Sequence, residues 1–269
     1  MPSDDSPPAL PPSAVPPTAY DERYYLNLCL GYEEWRASDG AAMAGLYPGV
    51  LDRAGLRSGE TLVDIGAGRG ELVAAAARRG ARAVGVEYSD AAIELARRTL
   101  AAHGDPAGAR ILLADARALP LPDADADLVT MIDVIEHLNA AEQARVLREA
   151  LRVLKPGGRI LVHTIPNRLI YDVTYRLQRA LSRPRRRTWP RDPRHDFERE
   201  MHVGEQSAGS LRRSLRAAGF VSLNIRHGAM LYTEFVPEPR ARVIYHRLAA
   251  HRLTAPLGSA DLWARARKR

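Results

Sequence analysis

Between residues 60 and 166 the apolar positions fall in short blocks, each followed by a stretch with helical spacing. "TLVDIGA" is an apolar strand that leads into the alanine-rich helix "ELVAAAARRG", which ends on a glycine cap. "ARAVGVEYS" makes a second strand, and Ser89 and Asp90 stand where they can cap the helix "AAIELARRTLAAHG". "ARILLADAR" gives a third strand and "ADLVTMIDVIEHL" a fourth. "AAEQARVLREALRVLKPGG" is an amphipathic helix with a Pro-Gly-Gly stop, and "RILVHTIPN" is the fifth strand. Strands alternating with helices at this spacing specify an α/β fold, a doubly wound and mostly parallel sheet with helices on both faces. Right-handed crossovers then gather the strand ends and their loops along one edge, where ligands bind.

The flanks read differently. Residues 1–17, "MPSDDSPPALPPSAVPP", are rich in Pro and Ser with little to bury, and they read as a disordered tail. Residues 18–58 read as an N-terminal helical lid: the aromatics of "YDERYYLNLCLGYEEW" require cover, and 41–57 looks helical with a break at Pro48. The α/β core spans 59–166. Residues 167–205 interrupt the rhythm and read as a substrate cap, with Ile170, Val173, Leu177 and Leu181 on one helical face and arginines gathered around Trp189. Residues 206–269 finish the core with the helix "AGSLRRSLRAAGF", the strand "VSLNIRHG" and the last strand "ADLWARARKR". An insertion at 229–258 carries a helix at "RARVIYHRLAA".

Composition narrows the setting. The 269 residues, 46% hydrophobic and 26% charged, suffice for one large domain with insertions. Neither a targeting segment nor an apolar run of membrane-spanning length is present, so a cytoplasmic protein is expected. The single cysteine, Cys29, excludes an internal disulfide framework and a cysteine-based zinc site. A net charge of +7, carried almost wholly by arginine, permits anionic partners without requiring one. The arginine-rich stretch 183–195 reads either as a contact for an anionic head group or membrane surface, or as a solvated loop.

Chemistry enters at "VDIGAGRGEL". Gly66, Gly68 and Gly70 bring the backbone close to a ligand, with Ala67 between the first two. The spacing is one residue tighter than the dinucleotide fingerprint, and Asp64 and Glu71 flank the turn. Two carboxylates would repel a pyrophosphate by a few kcal/mol each, roughly, at short range. S-adenosylmethionine, with a cationic centre and an ammonium group, meets no such conflict. Glu87, followed by Tyr88, ends the second strand where a carboxylate can take two ribose hydroxyls. Asp115 and Ala116 end the third, placed for an adenine amino group and ring.

With these segments and "EALRVLKPGGRILVHTIPN", the chain resembles the class I S-adenosylmethionine-dependent methyltransferases, strongly over about 55–166. The resemblance implies a Rossmann-like, seven-stranded sheet that ends in an antiparallel hairpin. It implies that Asp64, Gly66, Gly68 and Gly70 line the methionine end of the cofactor, that Glu87 binds ribose, and that Asp115 and Ala116 contact adenine. S-adenosylhomocysteine would be the product.

Methyl transfer is an in-line displacement, in which the enzyme holds nucleophile and methyl at attack distance; a hydroxyl nucleophile also needs a base. "IDVIEHL" supplies Asp133, Glu136 and His137 after the fourth strand. His137 is the first candidate general base, against a packing role; Asp133 also stands beside the cofactor. The D-x-x-E-H spacing is similar to the E-x-x-E-H metal cluster of ubiquinone-pathway O-methyltransferases, so Asp133, Glu136 and His137 form an alternative metal set, although no divalent metal is expected. His202 is a further candidate at the substrate cavity, His163 reads as a core histidine, and Tyr20, Tyr24 and Tyr25 as a lid over the cofactor or as core. "DVIEHL" lacks the base-cradling [DNS]-P-P-[YF] motif, which argues against DNA, and an RNA partner is not expected. The expected function is methylation of a small molecule, at a hydroxyl of a glycan, quinone or secondary metabolite. An RNA or other anionic substrate, or binding without turnover, stays open as the alternative.

Overall fold

The structure, a computed structural model, describes residues 10–43, 47–182, 190–230 and 239–269. Seven strands form one sheet in the order β3-β2-β1-β4-β5-β7-β6. They are β1 (Thr61–Ile65), β2 (Arg82–Glu87), β3 (Ala109–Leu113), β4 (Ala126–Ile132), β5 (Leu154–Thr164), β6 (Val221–His227) and β7 (Leu262–Arg267). β1 pairs in parallel with both β2 and β4, so the strand order reverses there, while β7 runs antiparallel to β5 and β6. β1 is buried along its whole length because helices cover both faces.

Among the helices, α1 (Glu22–Asn27), α2 (Tyr32–Ser38) and α3 (Tyr47–Ala54) precede the sheet; α4 (Glu71–Arg78), α5 (Asp90–Ala102) and α6 (Ala140–Val153) cross over between its strands. Caps fix their starts: Ser89 accepts from the backbone N–H of Ala92 ahead of α5, and Asn139 and Glu142 make a reciprocal capping box on α6. Pairs of layers bury Val63, Val84, Met131 and Leu147 on one face and Leu62, Ala83, Leu128 and Leu161 on the other. Later come α7 (Arg176–Ser182), α8 (Asp196–Met201), α9 (Ala208–Ala217), α10 (Pro239–Ala250) and α11 (Ala255–Gly258). No helix among the described residues is long and apolar enough to cross a membrane.

Four local expectations are corrected. Pro48 does not break a helix but lies in the first turn of α3, where its missing N–H costs nothing. α6 ends at Val153, ahead of Pro-Gly-Gly, because Leu154 already pairs with Ala126 in the sheet. The cap helix opens with a π-helical turn, Ile170–Tyr175, whose wider winding moves the buried face to Ile170, Tyr171 and Tyr175. Val173 and Leu177 are exposed there, and the side chain of Leu181 lies outside the described residues. The tail read over 1–17 is ordered from residue 10, and Val15 is buried. Residues 1–9 lie outside the described residues, as do 183–189 with Trp189; in the described part of that arginine stretch Arg194 is tied to Asp192 and Glu205.

Candidate functional site

A cavity of about 670 Å³ opens above the carboxyl ends of β1, β2 and β4, where the strand order reverses. Its floor is the turn after β1. Gly66 has φ +72°, and a Cβ there would lie 2.3 Å from Val134 Cγ2, so only glycine fits. Its N–H donates to the Val86 carbonyl at 2.9 Å, while the Gly68 N–H donates to Glu87 Oε2 at 3.1 Å. Gly66, Ala67 and Gly68 line the cavity as expected. Gly70 does not: at φ +75° it starts α4 and faces α5, where its Cβ would meet that of Ala96 at 3.0 Å. The third glycine serves helix packing.

Carboxylates surround this floor. Asp64, 3% exposed, accepts from Thr130 Oγ1 at 2.6 Å, and burial pushes it up to about 7. Glu87 accepts from the N–H groups of Gly68, Tyr88 and Ser89, which fixes it at the end of β2; burial still raises it above the ordinary range. Glu136 lies beyond, with Oε2 taking the Thr164 hydroxyl at 2.9 Å and Oε1 buried without a partner among the described residues. Burial and then the neighbouring Asp133 lift it to about 8. A positive ligand in the cavity would ionise groups that now prefer their protons.

One buried arginine joins the floor to the roof. Arg69 is 2% exposed and binds Glu71 by Nη2 at 3.0 Å; its guanidinium also donates to the carbonyls of Tyr25 and Leu30, each at 2.7 Å. Burial raises Glu71 to about 7 even against that cation. Tyr20, Tyr24 and Tyr25 all line the cavity, and their rings meet edge to face, Tyr20 with Tyr24 at 5.2 Å and Tyr24 with Tyr25 at 5.1 Å. At the β3 end, Asp115 and Ala116 line the wall, but both oxygens of Asp115 are held by Arg117. Arg117 also reaches Glu142 and the carbonyl of Pro11, Ala14 N–H donates to Glu142, and the Tyr88 hydroxyl donates to the Val15 carbonyl. Here lies the reason the tail expectation fails: an extended proline-rich segment offers free carbonyls, and buried donors take them.

Residues 63–162 match the family model described as a methyltransferase domain. That stretch is a methyltransferase domain. A probable S-adenosylmethionine-dependent methyltransferase of Mycolicibacterium smegmatis is 34% identical over 184 residues, 65% of this chain and 58% of that protein. A ubiquinone biosynthesis O-methyltransferase of Pseudomonas paraeruginosa is 34% identical over 43% of this chain and 48% of that protein. This chain thus spans about half the length of the curated relatives it matches. Among solved structures, phosphoethanolamine N-methyltransferase 2 of Haemonchus contortus, in complex with S-adenosylmethionine, superposes with a TM-score of 0.59 at 18% identity, over 92% of this chain and 60% of that one. It shows the fold: the doubly wound, seven-stranded sheet expected from the sequence is that of the S-adenosylmethionine-dependent methyltransferases.

Farther along the cavity wall stand two histidines. His137 and His202 both line the cavity, with ring centroids 4.8 Å apart and edge to face, and Tyr20 packs on His137 at 5.6 Å. Burial, then the facing His202, lowers His137 to about 3; burial lowers His202 to about 4. Both rings are neutral at neutral pH. His137 Nδ1 is buried without a hydrogen-bond partner among the described residues.

The metal alternative for Asp133, Glu136 and His137 finds no geometric support. Asp133 bonds His163, Glu136 bonds Thr164 and His137 faces His202, and among the described residues no group of three or more such side chains converges. Sequence reasoning missed Arg69, Arg117, Glu142 and Asp261, and it took His163 for an ordinary core residue. The charge of Arg69 between two glycines of the turn was the one available signal. Asp261 offered none, since its partner lies 98 residues away.

Proposed function

We propose that the protein transfers a methyl group from S-adenosylmethionine to a hydroxyl of a small aromatic molecule. When bound, the cofactor supplies an electrophilic methyl on a sulfonium. This chain's own part is to hold and orient: Asp64 and the Gly66–Gly68 backbone at the methionine end, Glu87 at the ribose, Tyr88, Asp115 and Ala116 at the adenine. Buried carboxylates with raised proton affinity and a floor whose Gly66 and Gly68 lack a Cβ favour such a cation.

The buried, unpartnered Nδ1 of His137, read as the acceptor nitrogen of the neutral ring, carries the acceptor reading. A buried acceptor atom in a cavity wall calls for a donor, and a substrate hydroxyl is one. At about 3 the imidazole is a weak base, yet that suffices. Once the oxygen begins to bond carbon it turns cationic, and its proton becomes far more acidic than an imidazolium, so the proton passes to Nδ1 late in the transfer. Tyr20, Tyr24 and Phe197, which line the same cavity, suit a planar ring. The printed name of the Pseudomonas relative, an O-methyltransferase of ubiquinone biosynthesis, supports the same acceptor class. Membrane or head-group contact through 183–195 would fit delivery of an apolar acceptor of this kind.

The test is production of S-adenosylhomocysteine from S-adenosylmethionine across a panel of phenols, quinols, sugars and amines. Turnover with phenols or quinols is expected, and His137→Ala should lower it by about 10²–10⁴ while leaving S-adenosylhomocysteine affinity nearly unchanged. Turnover with amines alone, or an unaffected His137→Ala, would overturn the hydroxyl reading. For the cofactor, Gly66→Ala is expected to weaken S-adenosylhomocysteine binding at least about tenfold in calorimetry, because the new methyl drives Val134 into the floor. Gly59→Ala is the control: it has a similar φ of +81° but open space around it, and it should bind as the parent does.

A further inference from the structure

His163 sits on β5 with no exposed surface, between two carboxylates. Its Nδ1 lies 2.6 Å from Asp133 Oδ1 and its Nε2 lies 3.2 Å from Asp261 Oδ2. A neutral imidazole has one N–H, so one of these contacts would set a lone pair against a carboxylate; only the imidazolium satisfies both. Burial alone would lower the ring's proton affinity, but Asp133 and Asp261 overturn that and lift it to about 10.

Asp261 is built in rather than incidental. It is 1% exposed and also accepts from the Met230 N–H, the Ser259 hydroxyl and Trp263 Nε1. A Cβ on Gly228 would fall 1.7 Å from its Oδ2, so the chain leaves room for this carboxylate. Trp263 packs on the His163 ring at 4.3 Å, with the Arg53 guanidinium 4.3 Å from the tryptophan ring. Glu136 is the other titratable neighbour, and burial keeps it largely protonated at neutral pH. At the opposite end, Asp133 has φ +54°, an uncommon conformation for aspartate, and it lines the cavity beside Gly66. Its Oδ1 is taken by His163, and Oδ2 makes no hydrogen bond among the described residues.

We infer that His163 is a positioning residue: held by Asp261, its imidazolium clamps Asp133 so that Oδ2 faces the place where the cationic end of the cofactor binds. The inference rests on the proposed cofactor. It goes further in assigning to a fully buried residue, outside the cavity wall, a share of the ligand's affinity through one carboxylate. The same unit reaches Met230, which lines the far wall, so the cofactor floor and the last insertion are held by one chain of bonds.

Two measurements test it. In ¹⁵N-histidine-labelled full-length protein, NMR should show one histidine with both ring nitrogens protonated from pH 6 to 9; a neutral ring at pH 7 for His163 would overturn the inference. In calorimetry, His163→Gln should weaken S-adenosylmethionine binding about tenfold in the parent background and leave it unchanged in an Asp133→Asn background. Equal losses in both backgrounds, or none in either, would show that His163 does not act through Asp133. Should His163→Gln fail to fold, Asp261→Asn is read through the same cycle and the NMR result on the parent protein stands. Failure of the parent to bind S-adenosylmethionine at all would sink the proposed cofactor instead, a separate and recognisable outcome.

Discussion

An Arg69→Ala variant is expected to lose about 3–5 kcal/mol of stability and to free the segment from Glu22 to Ser38 from the sheet. Both side chains of the Arg69–Glu71 pair are almost wholly buried, at 1% and 4% exposure. Removing the cation leaves a buried carboxylate without its counter-charge and strands the carbonyls of Tyr25 and Leu30. The loss should appear as a lower melting temperature and as faster amide exchange over α1 and α2. A double variant, Arg69→Leu with Glu71→Leu, should recover part of the stability, because no buried charge is then unpaired, while the lid exchange stays fast. If Arg69→Ala costs under about 1 kcal/mol and exchange is unchanged, apolar packing of Tyr25 and Trp35 holds the lid and the arginine is incidental.

The second large effect is on pH. Asp64, Glu71 and Glu136 lie at about 7, 7 and 8, chiefly through burial. Each prefers its neutral form in the fold, so their contribution is complete below the unfolded values near 4 and is lost as pH rises through 7 to 8. His163, raised to about 10, contributes fully below about pH 6.5 and less as pH rises toward 10. His137 and His202, depressed to about 3 and 4, act oppositely: their contribution is present above about 6.5 and lost as pH falls. The two sets offset one another between about pH 4 and 6.5, and above that only the falling terms remain. The unliganded protein should therefore lose on the order of 5 kcal/mol between pH 6.5 and 8.5, a drop in melting temperature of about 10–20 °C. A cation in the cavity favours the ionised carboxylates, so S-adenosylmethionine should bind with proton release and about tenfold more tightly at pH 8 than at 6.5. S-adenosylhomocysteine, which lacks the sulfonium charge, should respond less. A melting temperature that is flat or rising up to pH 8.5 would refute the arrangement, and equal pH responses for the two ligands would place the carboxylates away from the sulfur.

The sequence alone determined whatever depends on neighbours along the chain. Alternating apolar blocks placed the strands of the sheet, because strand and helix periodicities are local properties of ten or so residues. It also brought Asp64, Gly66, Gly68 and Glu87 to the cavity, since a residue at the end of a parallel strand is carried to that edge whatever the rest of the chain does. Gly70 shows the limit of that reasoning: it shares the motif but faces α5, and only the packing of Ala96 against it reveals this. The phase of the cap helix failed for a similar reason, a π-helical turn that no spacing rule announces. What tertiary structure decided are the long-range polar partnerships. Arg69 meets carbonyls about forty residues away, Arg117 reaches Pro11, and His163 finds Asp261 across 98 residues. A buried polar group must be satisfied, but many distant groups can satisfy it, and the pattern of apolar positions says nothing of which one does.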